Sequence, residues 1–230
     1  MDEAPDQHAL ASVSHAQARP YARLFAAVVL LFILQVGLDD SDVARFAQVI
    51  VGSSVLILAA RLGQVSGRWW MAVRLGVVIA VVSSIANVLL GDIDGMAGAV
   101  LIVNGLVVAA APPAVIRAIR RHPTVTIETV LGAVTVYVLI GLFFAFVFRS
   151  ILEYDASSFQ TSVGELTPAA MQYLSFVSLT TVGFGDVTPV SDLARTLVSL
   201  EALVGQVYLV TVVALVVGNI GTKRRKHLED

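Results

Sequence analysis

Cysteine is absent from the 230 residues, which excludes a disulfide scaffold and any thiolate metal centre. Histidine is scarce, and His8, His15, His122 and His227 show no ligand spacing. Charge is scarce too: 14% of residues are Asp, Glu, Lys or Arg, against roughly 25% in soluble domains. No Walker loop, dinucleotide fingerprint or nucleophile elbow occurs. An enzyme, a cofactor and a nucleic-acid partner are therefore not expected, and the net charge of -2 points to no particular partner. What fills the chain is apolar: 57% of it is hydrophobic, the composition of an integral membrane protein.

The apolar residues fall into six runs: Tyr21 to Leu38, Val43 to Ala60, Met71 to Leu90, Met96 to about Ala111, Val125 to Phe148, and Leu193 to Ile220. A span needs about 20 residues and can manage with about 17, so the second and fourth runs are the shortest workable ones. The prolines Pro112 and Pro113 are expected to end the fourth. The first run follows Arg19 and Arg23, as a signal sequence would, but its core is long and no small-residue cleavage site follows closely. It is read as a retained helix. Residues 1–19, polar throughout, are expected to be a disordered tail.

Basic residues set the orientation. With a cytoplasmic N-terminus, all but Arg45, Arg149 and Arg195 of the 15 Lys and Arg fall inside. The acidic residues Asp39, Asp40, Asp42, Asp92 and Asp94 fall outside. This alternation favours six spans with both termini cytoplasmic, in a plasma (inner) membrane.

Between the fifth and sixth runs lies a polar loop starting at Arg149, then "TPAAMQYLSFVSLT" and "TVGFGD". Thr167 reads as an N-cap and Pro168 as the first helical residue. The dozen apolar residues that follow are too few to span a bilayer and suit a re-entrant helix. Bare backbone groups are costly in hydrocarbon, so the glycine-punctuated return must be buried in protein or face water or ions. Gly183 and Gly185 can take positive φ cheaply. Around a symmetry axis, the carbonyls of Thr181, Val182, Gly183 and Phe184, with the Thr181 hydroxyl, would then stack as oxygen rings able to replace the hydration shell of a monovalent cation.

The stretch "TTVGFGD" resembles the potassium-channel selectivity-filter signature, with Phe184 where many members of that family carry Tyr. The resemblance covers about Val125 to Ile220; upstream it is to a six-span layout only. It implies an all-α integral membrane fold, six transmembrane helices with a re-entrant pore helix and filter loop between the fifth and sixth. The corresponding divisions are 1–19 cytoplasmic tail, 20–113 four-helix peripheral domain, 114–124 interfacial linker helix, 125–221 pore domain and 222–230 short cytoplasmic tail. It implies a homotetramer in lipid, with K+ as the permeant ion held at Thr181, Val182, Gly183, Phe184 and Gly185. Potassium preference is a known property of such carbonyl rings, not something the spacing derives. No cytoplasmic ligand-binding domain is expected after the sixth run.

Other residues carry narrower expectations. Asp186 would form an acidic ring at the outer mouth, and Phe184, lacking a hydroxyl, would be held by packing against Leu174 or Tyr173. Gly205 falls where many family members have an inner-helix hinge glycine, and Gln206 could line the cavity. Glu201, costly within a span, is either a protonatable element behind the filter or a structural hydrogen-bonding group. Arg117, Arg120 and Arg121, spaced with Val115, Ile116 and Ile119, suit a short amphipathic helix at the lipid surface. Met96 to Ile116 holds no charge, so a conventional voltage sensor is not expected. The chain is therefore expected to be a weakly voltage-dependent or voltage-independent potassium channel subunit. The other reading is a non-conducting structural or regulatory subunit. An intramembrane enzyme would need a dyad that Glu201 alone does not supply.

Overall fold

The computed structural model describes residues 7–37, 42–90, 96–121 and 126–229. The acidic residues Asp39, Asp40, Asp92 and Asp94, the end of the linker at His122, and Val125 lie outside the described residues. Eight α-helices account for nearly all of the regular structure: α1 Gln7–Gly37, α2 Asp42–Leu62, α3 Arg68–Leu90, α4 Met96–Ala109, α5 Ala111–Ile119, α6 Ile127–Tyr154, α7 Pro168–Leu179 and α8 Asp192–Glu229. Six helical segments among the described residues are long and apolar enough to cross a membrane: Pro20–Gly37, Val43–Leu62, Arg68–Leu90, Met96–Ile119, Ile127–Tyr154 and Asp192–Val212.

The helix ends depart from the apolar runs. Helix α1 starts at Gln7, ahead of the apolar run, so the segment expected to be a disordered tail is helical from there. At the other end α8 continues through the basic stretch to Glu229. The fourth apolar segment is two helices, broken at Ala110. Pro112 and Pro113 do not end it; they lie in the first turn of α5, where a missing N–H costs nothing because that turn has no intrahelical acceptor. Helix α6 begins with the Thr126 N–H donating to Thr129 Oγ1 at 2.8 Å, a local stop that fixes its first turn. It then runs to Tyr154, so Arg149, expected in the outer loop, is instead helical and buried.

Helix α6 organises the molecule, packing against α1, α4, α5, α7 and α8. One apolar cluster joins Leu24, Val28 and Leu31 of α1 to Leu56 of α2, Val107 of α4 and Leu139, Leu142 and Phe146 of α6. A second joins Phe144 and Phe148 of α6 to Met171 and Leu174 of α7 and Ala194 of α8. Each fully buried aliphatic or aromatic side chain contributes about 1.5–3 kcal/mol when water is the alternative. Between segments already in lipid, close packing and hydrogen bonds must do most of this work. Helix α3 buries only Ala80, Ser84 and Asn87 and turns Trp69, Met71, Leu75 and Val82 outward. It is the outermost helix of the four.

The connection from α6 to α7 is not wholly irregular. A 3-10 turn Ala156–Ser158 leads into β1 Phe159–Thr161, which pairs antiparallel with β2 Val187–Pro189 in the register Phe159↔Pro189, Gln160↔Thr188, Thr161↔Val187. This ribbon clips together the chain before α7 and the chain after it. Asp155 starts the turn, accepting from Ser157 N–H at 3.0 Å, from Ser157 Oγ–H at 2.6 Å and from Ser158 Oγ–H at 2.9 Å. Those hydrogen bonds, Ser157's first, hold its carboxyl below the usual carboxylate range.

Candidate functional site

Helix α7 begins as its sequence dictates: Thr167 Oγ1 accepts from Ala170 N–H at 3.1 Å, and Pro168 takes the first helical position. It ends at Leu179, and the carbonyls of its last turn are then used by the chain that follows. Thr181 N–H donates to Ser178 O at 2.9 Å, and Val182 and Gly183 N–H both donate to Val177 O, at 2.8 and 3.1 Å. These bonds fold the start of "TVGFGD" tightly against the helix end.

From there the backbone alternates. Thr181 has φ 60, Gly183 φ 55 and Gly185 φ 80, while Val182 and Phe184 stay at negative φ. In a strand successive carbonyls point to opposite sides; alternating left- and right-handed residues cancels that reversal and turns them to one side. Glycine accepts positive φ freely, whereas at Thr181 the same conformation is strained by roughly 1–2 kcal/mol. The sequence signalled the two glycines. It did not signal Thr181.

All five residues from Thr181 to Gly185 are exposed in the single chain, Phe184 by 71% and Val182 by 54%. Phe184 stacks on Tyr173, with ring centroids 6.3 Å apart and planes 10° apart. The Tyr173 hydroxyl donates to Asp186 Oδ1 at 3.0 Å. One tyrosine of α7 therefore braces the far end of this stretch twice, by its ring face at Phe184 and by its hydroxyl at Asp186. A hydroxyl tie of the kind Phe184 cannot make comes from Tyr173 to Asp186.

Behind the stretch, α7 is fastened to three other helices. Tyr137 Oη–H of α6 donates to Leu179 O at 3.1 Å. Ser175 Oγ lies 2.7 Å from Gly141 O and 2.5 Å from Glu201 Oε1. Glu201 is fully buried, and its Oε2 has no hydrogen-bond partner. Gln172 Nε2–H donates to Phe32 O of α1 at 3.2 Å, beside an edge-to-face contact between Phe32 and Phe176. Of these groups only Glu201 stood out in the sequence. Gln172, Ser175 and Ser178, polar residues within a short apolar helix, were the available signal for the rest.

Gly205 sits inside the unbroken α8, where an added Cβ would lie 2.5 Å from Leu179 O. Its position is thus a close approach to the end of α7. Gln206, one residue on, is exposed. Arg117, Arg120 and Arg121 are exposed at the end of α5, whose opposite face buries Ala111, Ala114, Val115 and Ala118. They are remote in the fold from the Thr181–Gly185 stretch.

Residues 125–221 match the family model described as an ion channel. That span takes in α6, the ribbon, α7, the Thr181–Asp186 stretch and the apolar part of α8. This part of the chain is therefore similar to an ion channel domain of the pore-loop type, a family whose role is transport rather than catalysis. With the long apolar helices, the chain is a multi-pass membrane protein. Neither a curated protein nor a solved structure matches it.

Proposed function

We propose that the chain is one subunit of a potassium-selective channel, four copies of which surround a central pore. The observation that carries this reading is the alternation of φ sign from Thr181 to Gly185. It directs the carbonyls of Thr181, Val182, Gly183 and Phe184 to one side, as stacked oxygen rings require. One chain contributes one oxygen per ring, so a closed coordination shell needs several copies around an axis, and four suits a ring stack that replaces a hydration shell. The exposure of the stretch in a single chain, and the exposed apolar residues Leu203, Val207 and Val210 on α8, support neighbours in the assembly. In this reading α7 re-enters the membrane and its C-terminal carbonyls favour a cation below Thr181. Asp186 rings the outer mouth, and both termini are cytoplasmic in the plasma membrane, with K+ as the permeant ion and no other cofactor.

The test is a flux assay on protein reconstituted in vesicles, paired with the mass of the detergent-solubilised complex. A potassium flux and a protein mass near four times 24.3 kDa are expected. A flux carried by a monomer or dimer would contradict the assembly. No flux from a well-folded tetramer would favour the non-conducting subunit instead.

A further inference from the structure

Away from the Thr181–Gly185 stretch, a cavity of about 610 Å³ lies among α1, α2, α5 and the start of α6. Arg23 of α1, Arg61 of α2 and Arg121 beyond α5 all line it, against one acid, Glu128. Among the described residues, none of the three guanidinium groups has a hydrogen bond or an ion pair, the bonds of Arg61 and Arg121 being to their backbones. Three guanidinium groups from separate elements thus converge on one space with their charge largely uncompensated. Arginine on this face is expected of any membrane protein, but such residues are usually dispersed and solvated. Arg74, nearer the same end of α3, lines only a shallow hollow with Trp70, Met71 and Leu75.

The depth of the cavity is fixed by the spans around it. Pro20 opens the first apolar span, Leu62 closes the second, Ile119 closes the fourth and Ile127 opens the fifth. All four ends meet at this cavity, which places it at the level of lipid headgroups. Its volume falls within the roughly 300–1,000 Å³ of small-molecule sites. Leu58, Leu62 and Ala118 form the apolar part of the wall, where the first carbons below a headgroup would lie.

We propose that this cavity binds the phosphate of an anionic phospholipid, with Arg23, Arg61 and Arg121 as its ligands. Guanidinium forks match phosphate oxygens two at a time, and basic pockets between transmembrane helices are suited to anionic headgroups. The bound lipid would tie α1 and α2 to the junction where α5 hands over to α6. This inference needs the membrane setting but not potassium conduction, so it stands or falls separately from the function proposed above.

The experiment is thermal unfolding of the full chain in neutral detergent, titrated with short-chain phosphatidylglycerol, phosphatidylcholine or inorganic phosphate. Phosphatidylglycerol should raise Tm by several degrees, and phosphatidylcholine by much less. The shift should vanish in the Arg23→Gln, Arg61→Gln, Arg121→Gln triple variant and survive in Arg74→Gln. Should the triple variant not fold, each single variant should lose part of the shift and its Lys counterpart less. An equal shift with both lipids, or one untouched by the substitutions, would overturn the site. An equal shift from inorganic phosphate alone would overturn the lipid assignment and make the ligand a soluble phosphate.

Discussion

The hydroxyl of Ser175 joins α7 to both helices that flank it: its Oγ is 2.5 Å from Glu201 Oε1 on α8 and 2.7 Å from Gly141 O on α6. A hydroxyl has one hydrogen to give. If Ser175 gives it to Gly141, Glu201 must supply the second as a carboxylic acid. Glutamine offers a donor in the same shape, so Glu201→Gln should leave the thermal stability of the assembly within about 1 kcal/mol, whereas Glu201→Ala and Ser175→Ala should each cost about 1–3 kcal/mol by stranding buried polar groups. The double variant Ser175→Ala, Glu201→Ala should cost much less than the two losses added. Additive losses would show that the contact is not a functional pair.

Gly183 and Gly205 should respond to alanine for opposite reasons. At Gly183 an added Cβ meets nothing within 4 Å, but φ is 55. The penalty is therefore conformational, about 1–2 kcal/mol for an L-residue held in the left-handed region. Gly183→Ala should relieve it locally by turning a carbonyl away, abolishing selective conduction while Tm falls little. A variant that still discriminated potassium from sodium would argue against the carbonyl alignment.

At Gly205 the conformation is ordinary helix and the penalty is steric. Helix propensity alone would favour alanine by about 1 kcal/mol. The new Cβ would instead sit 2.5 Å from Leu179 O, a backbone atom that cannot rotate aside. Overpacking of this kind costs roughly 1–3 kcal/mol, so Gly205→Ala should destabilise. Gly76, in α3 with nothing within 4 Å, is the control: Gly76→Ala should stabilise by about 0.5–1 kcal/mol. Equal Tm shifts of the same sign at both positions would refute the close approach.

Open probability should vary only weakly with voltage. Moving one elementary charge through 100 mV is worth about 2.3 kcal/mol, and steep gating needs roughly 3–4 such charges per subunit. The apolar segment Met96–Ile119 carries only Arg117, near its end, with Arg120 and Arg121 beyond. A shallow conductance–voltage curve is expected. A steep, saturating curve that flattens on neutralising Arg117 and Arg120 would mean that these arginines travel.

The apolar segments and the start of α7 are legible in the sequence because their causes are local. Hydropathy marks the spans, and Thr167 and Pro168 mark the cap within four residues. Position i+4 relations such as Glu201 with Gly205 are local too, but what they touch is not. Nothing near Phe32 says that it meets Phe176 and Gln172, since that contact joins distant parts of the chain. It brings α1 directly onto α7, the helix that leads into Thr181–Gly185, without passing through α5. Arg149 misled because an arginine after an apolar run reads as a loop. In the fold it is buried, with Nη1–H donating to Gln48 Oε1 at 3.4 Å. Likewise the Pro112-Pro113 pair, expected to end a helix, fits the first turn of the next one, and the break falls at Ala110.

The claim on which the rest depends is that Thr181–Gly185 selects potassium. Reconstituted protein recorded with potassium on one side of the bilayer and sodium on the other tests it directly. The reversal potential should lie tens of millivolts toward the value favouring potassium, and it should collapse in Gly183→Ala. A reversal potential near zero from the unaltered chain would contradict the account.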